Sequence, residues 1–178
     1  MRWHSFFQSA CKIGFASFLT LVLFSFASPV QAEAIRIVAL GASNTAGKGV
    51  DSSQAWPARL EGLLKAKGYD VSMTVDAVSG DTSAGIASRA ASIPAGTQVV
   101  LYDAGTNNDQ KAGVSDASRQ GNVGDIVSRI RARGATPIRV IYQGLPRQPD
   151  GIHLTAAGHA ALAARLLPQV TAALGKRH

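Results

Sequence analysis

The sequence predicts an α/β fold: a three-layer α/β/α sandwich on a short parallel sheet. Three observations carry this. Four short β-rich runs alternate with helix-like stretches between residues 35 and 174. The runs are largely apolar, as strands covered on both faces are. Loops rich in Gly, Ser, Asn and Asp follow the runs, where open α/β sheets hold their sites. No internal repeat, linker or second core is visible, so residues 33–178 are expected to form one domain.

The first 32 residues read as a secretory signal peptide rather than as fold. Arg2 and Lys12 make a positive start without an acidic residue, and an apolar run extends from Ile13 to Ala27. Pro29-Val30-Gln31-Ala32 then puts small residues where a signal peptidase reads. The run is interrupted by Gly14, Ser17, Thr20 and Ser25, and is shorter than the roughly 20 apolar residues of a spanning helix. An uncleaved anchor is the alternative. The mature chain is expected to begin at or near Glu33, to be periplasmic or secreted, and to have no stable membrane association. Cys11, the only cysteine, would leave with the segment. The mature domain then has neither disulfide nor thiol chemistry, which suits export without oxidative folding. Formal charge falls from +7 to +5, with 16 basic residues against 11 acidic. The charges are scattered and lack the aromatic interleaving of single-strand binders, so no nucleic-acid partner is expected. The densest cluster, Arg129, Arg131 and Arg133, closes a predicted helix, where cations complement the dipole.

Taken in order, Ile35 to Leu40 (IRIVAL) reads as a buried strand. Trp56 to Lys67 is an amphipathic helix with Pro57 in its tolerant first turn, ended by Gly68. Val71 to Val78 is the second strand, and Ser83 to Ser92 a short helix stopped before Pro94. Gln98 to Tyr102 is the third strand, and Ser115 to Arg133 a longer helix closed by Gly134. Pro137 to Tyr142 (PIRVIY) is the fourth strand, and Thr155 to Leu174 the last helix, with Thr155 as N-cap. Four loops then share one end of the sheet: Gly41 to Ser53, Ser79 to Thr82, Asp103 to Gly113, and Gln143 to Leu154.

The first loop, within ALGASNTAGKGV, poses a choice between cradling phosphate and presenting a serine. A phosphate loop registered on Lys48 puts Ala42 at its first glycine and Gly49 at its magnesium-binding hydroxyl, so both positions fail. A serine nucleophile needs a histidine base and a carboxylate to orient it. Of the three histidines beyond residue 32, His178 is terminal and His159 falls on the last helix as a cap or surface residue. His153 lies three residues after Asp150 in PDGIHLT, before that helix. Alone, that spacing also fits an ordinary polar loop, as Ser43, Gly80 and Asn107 each fit ordinary turns. No residues have metal-ligand spacing, and neither a metal nor a cofactor is expected.

Together, GASNTAG, SGDT, GTNN and DGIH occur in this order at the ends of predicted strands or in the last loop. In this the sequence resembles the SGNH hydrolases, also called the GDSL esterase/lipase family, over nearly all of residues 35–174. The stretches ARLEGLLKAKGYDV and DGIHLTAAGH look like its secreted arylesterase-type members. The resemblance implies the flavodoxin-like SGNH hydrolase fold and a small-molecule ester substrate. It implies that Ser43 attacks the ester carbonyl, that His153 moves the proton and that Asp150 orients His153. The oxyanion would be met by the N–H groups of Ser43 and Gly80 and by the Asn107 amide. Glycine at position 80 would let an N–H approach substrate with no Cβ in the way.

Three departures from the family pattern stand out. Ala42 replaces the usual Asp before the nucleophile, which removes a carboxylate from the site floor. Asn108 replaces the Asp that often follows the oxyanion Asn, which changes a loop anchor. Only seven residues separate Tyr142 from Asp150, so four clear strands are expected, with a fifth short or absent, and a shallow, open site. Such a site suits short-chain acyl or aryl esters. The rival readings are an acyltransferase or carbohydrate O-deacetylase using the same residues, and a non-catalytic binding module on this fold.

Overall fold

The structure, a computed structural model, describes residues 33–175. The predicted signal peptide, Cys11 and His178 lie outside the described residues. Four strands, β1 (Ile35–Gly41), β2 (Val71–Ala77), β3 (Thr97–Tyr102) and β4 (Thr136–Arg139), form one parallel sheet in the order β2-β1-β3-β4. The chain crosses from one flank of β1 to the other after β2. The carboxyl ends of β1 and β3 therefore flank the switch point, where ligands of open α/β sheets bind.

Alternation along the strands makes the three layers. Ile37 and Ala39 of β1 face one side, with α2 (Trp56–Ala66) and α6 (Ala156–Leu174) packed there through Leu60, Leu64, Leu162 and Leu166. Val38 and Leu40 face the other, against α3 (Ser83–Ala90) and α5 (Asp116–Ala132) through Ile86, Ile126 and Ile130. Burial on both faces explains why the central strands β1 and β3 read as mostly apolar runs, while the edge strand β2 carries Ser72, Thr74 and Asp76. Each of these last four helices but α2 starts on a side-chain cap. Thr82, Ser115 and Thr155 accept from the N–H groups of Gly85, Ser118 and Gly158.

Differences from the sequence reading cluster near the site. Two short helices, α1 (Ser43–Ala46) and α4 (Thr106–Lys111), occupy segments expected to be loops. The fourth strand begins at Thr136 and stops at Arg139, three residues before Tyr142. The Val140 N–H still donates to the last β3 carbonyl, Tyr102, at 2.8 Å. β3 offers no further partner, so Ile141 turns to solvent and Tyr142 runs beneath the site. β4 is the sheet edge, which tolerates Pro137 without its N–H. His159 is not a surface residue. It is fully buried, and its Nδ1 accepts the Trp56 N–H at 3.2 Å. It thus caps α2, whose own N-cap residue, Ala55, has no side-chain acceptor.

Candidate active site

β1 delivers Ser43 to the switch point through a tight turn. A Cβ on Gly41 would lie 2.2 Å from Thr45 Oγ1 and 2.9 Å from Asp103 Cβ, so only glycine fits. The Ala42 carbonyl accepts from the N–H groups of Thr45 and Ala46 at 3.0 and 2.9 Å, which winds the chain into α1. Ser43 heads this turn, and its own N–H has no acceptor within α1.

The loop before α6 folds back on itself. An antiparallel bridge joins Arg147 to Leu154, and the Gln148 N–H donates to the His153 carbonyl at 2.7 Å. Asp150 Oδ1 accepts from the N–H groups of Ile152 and His153, both at 2.9 Å. Its Oδ2 lies 2.5 Å from His153 Nδ1, and His153 Nε2 lies 3.0 Å from Ser43 Oγ. A carboxylate only accepts, so Nδ1 carries the proton and Nε2 is left as the acceptor for the serine hydroxyl. The bond to the His153 ring and the two N–H donors hold the Asp150 carboxyl well below its ordinary range. It is therefore ionised wherever the protein is folded near neutral pH.

Buried Asn44 fixes the span between nucleophile and base. Its Nδ2 donates to the Ile152 carbonyl at 3.2 Å, and its Oδ1 accepts the Leu154 N–H at 2.9 Å. The residue beside Ser43 thus grips the chain on both sides of His153.

Gly80 and Asn107 line the same cleft as Ser43 and His153. Gly80 has φ +88°, and a Cβ there would meet nothing within 4 Å. The left-handed backbone itself favours glycine at this position. Asn107 is exposed on the first turn of α4. The neighbouring loop is held from three directions. Asn108 Nδ2 donates to the Asp81 carbonyl at 2.7 Å, and Asp109 Oδ1 accepts the Ser83 N–H at 2.9 Å. Arg89 donates to the Gly41 carbonyl at 2.8 Å, to the Asp76 carboxylate at 2.6 Å and to the Asp81 carboxylate at 2.7 Å. One guanidinium thereby ties the end of β1, the end of β2 and the Gly80 loop together. Gly105, at φ +67°, comes so close to this loop that a Cβ would lie 2.5 Å from Ser83 N.

Beneath Ser43 lies a buried polar floor. Burial raises the Asp103 carboxyl, and the Gly105 N–H, the Tyr142 hydroxyl and the Ala42 and Ala104 N–H groups oppose that rise. The Tyr142 hydroxyl lies 3.0 Å from Thr45 Oγ1. Burial first, then the Asp103 charge, push its phenol well above the usual tyrosine value, so it stays neutral. The cleft above holds about 870 Å³. Among the described residues no group of three His, Cys, Asp or Glu is placed to hold a metal ion.

Comparison with known proteins gives this geometry a context. The GDSL-like lipase/acylhydrolase family matches residues 39–149, more than half of the sequence. The chain belongs to the GDSL-like lipase/acylhydrolase family. Esterase TesA of Pseudomonas aeruginosa is 34% identical over 122 residues, 67% of this chain and 59% of that protein. The match therefore spans less than two thirds of the relative's length. A crystal structure of TesA superposes with a TM-score of 0.68 at 25% identity, covering 78% of this chain and 99% of that one. AlinE4, an SGNH-hydrolase family esterase, gives a TM-score of 0.56 at 24% identity over 79% of this chain and 74% of its own, a likeness of fold.

The family match ends one residue before Asp150, so it does not cover Asp150 and His153, which the geometry brings to Ser43. The departure of this GDSL-like chain at Ala42 does not leave the floor without a carboxylate, because Asp103 lies there from the end of β3. Its departure at Asn108 does not leave the loop unanchored, because Asn108 and Asp109 both bind it. Asn44, Arg89, Asp103 and Tyr142 were not singled out from the sequence. The only signal for Asn44 was its place beside Ser43.

Proposed function

We propose that the protein is an exported serine esterase that hydrolyses carboxylic esters with short acyl or aryl groups. The reading is supported most directly by the Ser43 Oγ–His153 Nε2 distance of 3.0 Å, with Asp150 on the far ring nitrogen. A hydroxyl is a weak nucleophile at neutral pH, so the imidazole takes its proton as Oγ bonds to the carbonyl carbon. Asp150, charged and fixed, holds the tautomer and stabilises the imidazolium. The carbonyl oxygen gains negative charge, and the N–H groups of Ser43 and Gly80 and the Asn107 amide meet it. The imidazolium then gives its proton to the leaving alkoxide, releasing the alcohol and an acyl-Ser43 ester. Water, deprotonated by the same His153, attacks that ester. Collapse returns the proton to Ser43 and frees the carboxylic acid.

The test is steady-state turnover of p-nitrophenyl acetate by the wild type and by Ser43→Ala. The account expects saturable turnover that the variant loses while keeping its circular dichroism spectrum. No turnover by folded wild type would favour a binding module instead. Export through a cleaved signal peptide is part of the same proposal. N-terminal sequencing of the processed protein should begin at or near Glu33, and retention of Met1 in that protein would contradict it.

A further inference from the structure

The cleft carries more positive charge than the proposed chemistry uses. Lys48, Lys111, Arg139 and Arg147 line it, while the one carboxylate in its lining, Asp103, is buried in the floor. The four cations come from four separate segments: after α1, the last turn of α4, the end of β4, and the loop before His153. Among the described residues, the ion-paired carboxylates are engaged elsewhere. Glu33 pairs with Arg36, Glu61 with Lys65, Asp76 and Asp81 with Arg89, and Asp116 with Arg119, while Asp150 is taken up by the His153 ring and the N–H groups of Ile152 and His153. None of the four cleft cations has such a partner among the described residues. Arg147 is held in place by the carbonyls of Ile152 and Tyr142, at 2.6 and 3.2 Å. Those two bonds leave three of its five N–H donors over. On a convex surface such a set would be a solvated face. Around a concave site it focuses a positive field onto whatever enters.

We propose that the cleft selects esters bearing a second, anionic group, such as a carboxylate, phosphate or sulfate, set apart from the scissile carbonyl. The proposal rests on the esterase reading and narrows its substrate class. Two matched pairs of esters test it. Mono(4-nitrophenyl) adipate is compared with 4-nitrophenyl methyl adipate, which puts the charge on the acyl side. 3-Acetoxybenzoate is compared with its methyl ester, which puts the charge on the leaving group. The readout is the ratio of kcat/KM for the charged ester to that for its neutral twin.

At low ionic strength the ratio should be about tenfold in at least one pair. It should shrink towards one in 0.5 M salt, since exposed charges are screened over a few ångströms there. It should also fall towards one in the combined variant Lys48→Gln/Lys111→Gln/Arg139→Gln, whose three positions are exposed and so safe for folding. A ratio of one or less in both pairs, or a preference that the variant retains, would overturn the proposal while leaving the esterase reading intact. Failure to hydrolyse all four esters would overturn both.

Discussion

The buried histidine that caps α2 makes stability depend on pH in a calculable way. His159 is fully buried, and its Nδ1 is occupied as an acceptor for the Trp56 N–H. Burial first, then the Arg59 charge, lower its pKa to about 4. In the unfolded chain an imidazole titrates near about 6.5. Between these values the unfolded state binds a proton that the native state refuses, so stability is present above the unfolded value and is lost as pH falls. Integrating from pH 7.5 to 5.0 gives a loss of up to about 2 kcal/mol. In urea that is a midpoint drop of roughly 1 M for a typical dependence on denaturant. The assay is urea unfolding at both pH values, for the wild type and for His159→Gln, whose amide oxygen can still accept the Trp56 N–H. A constant cost of the substitution cancels in the pH difference. The variant should lose much less between pH 7.5 and 5.0 than the wild type. Equal losses in the two proteins would refute the reasoning.

Other perturbations act on the rate. Asn107→Ala should lower kcat by about 10²–10³ with little change in KM, read by steady-state kinetics, because the donor is needed only once charge develops. Wild-type kcat in that variant would remove Asn107 from the oxyanion site. Asn44→Ala breaks both contacts to the His153 loop. Urea unfolding should register about 1–3 kcal/mol of lost stability, with kcat reduced more than KM is raised. Because Asp150 stays charged through the working range, a single ionisation should govern the acid side of the kcat/KM profile. The rate should rise with unit slope, and a slope of two would implicate a second group.

Much of the scaffold was legible because parallel strands buried on both faces leave a mostly apolar signature, as in IVAL at residues 37–40 and VVLY at residues 99–102. The three side-chain caps, Thr82, Ser115 and Thr155, mark helix starts locally. The loops carrying Ser43, Gly80, Asn107 and His153 were found because topology puts strand ends at one edge of the sheet. What escaped was short or distant. α1 and α4 have four and six residues, too few to show a helical period. Asn44 reaches its partners across 108 and 110 residues, and Arg89 reaches the Gly41 carbonyl across 48. A polar side chain in a polar segment gives no sign of which distant backbone it will hold. The fourth strand was overextended because PIRVIY keeps its β-rich composition past the end of its only neighbour, β3. For His159 the choice between cap and surface residue stayed open because a helix repeat does not reveal that another helix begins against it.

The central claim is that the hydroxyl of Ser43 is the activated nucleophile. Its most direct test is covalent labelling by a serine-directed p-nitrophenyl phosphonate, located by peptide mass mapping. The account predicts one phosphonyl group per chain, on Ser43, formed in step with loss of turnover and much more slowly in His153→Ala. Label on another residue, or an equal rate without the imidazole, would contradict it.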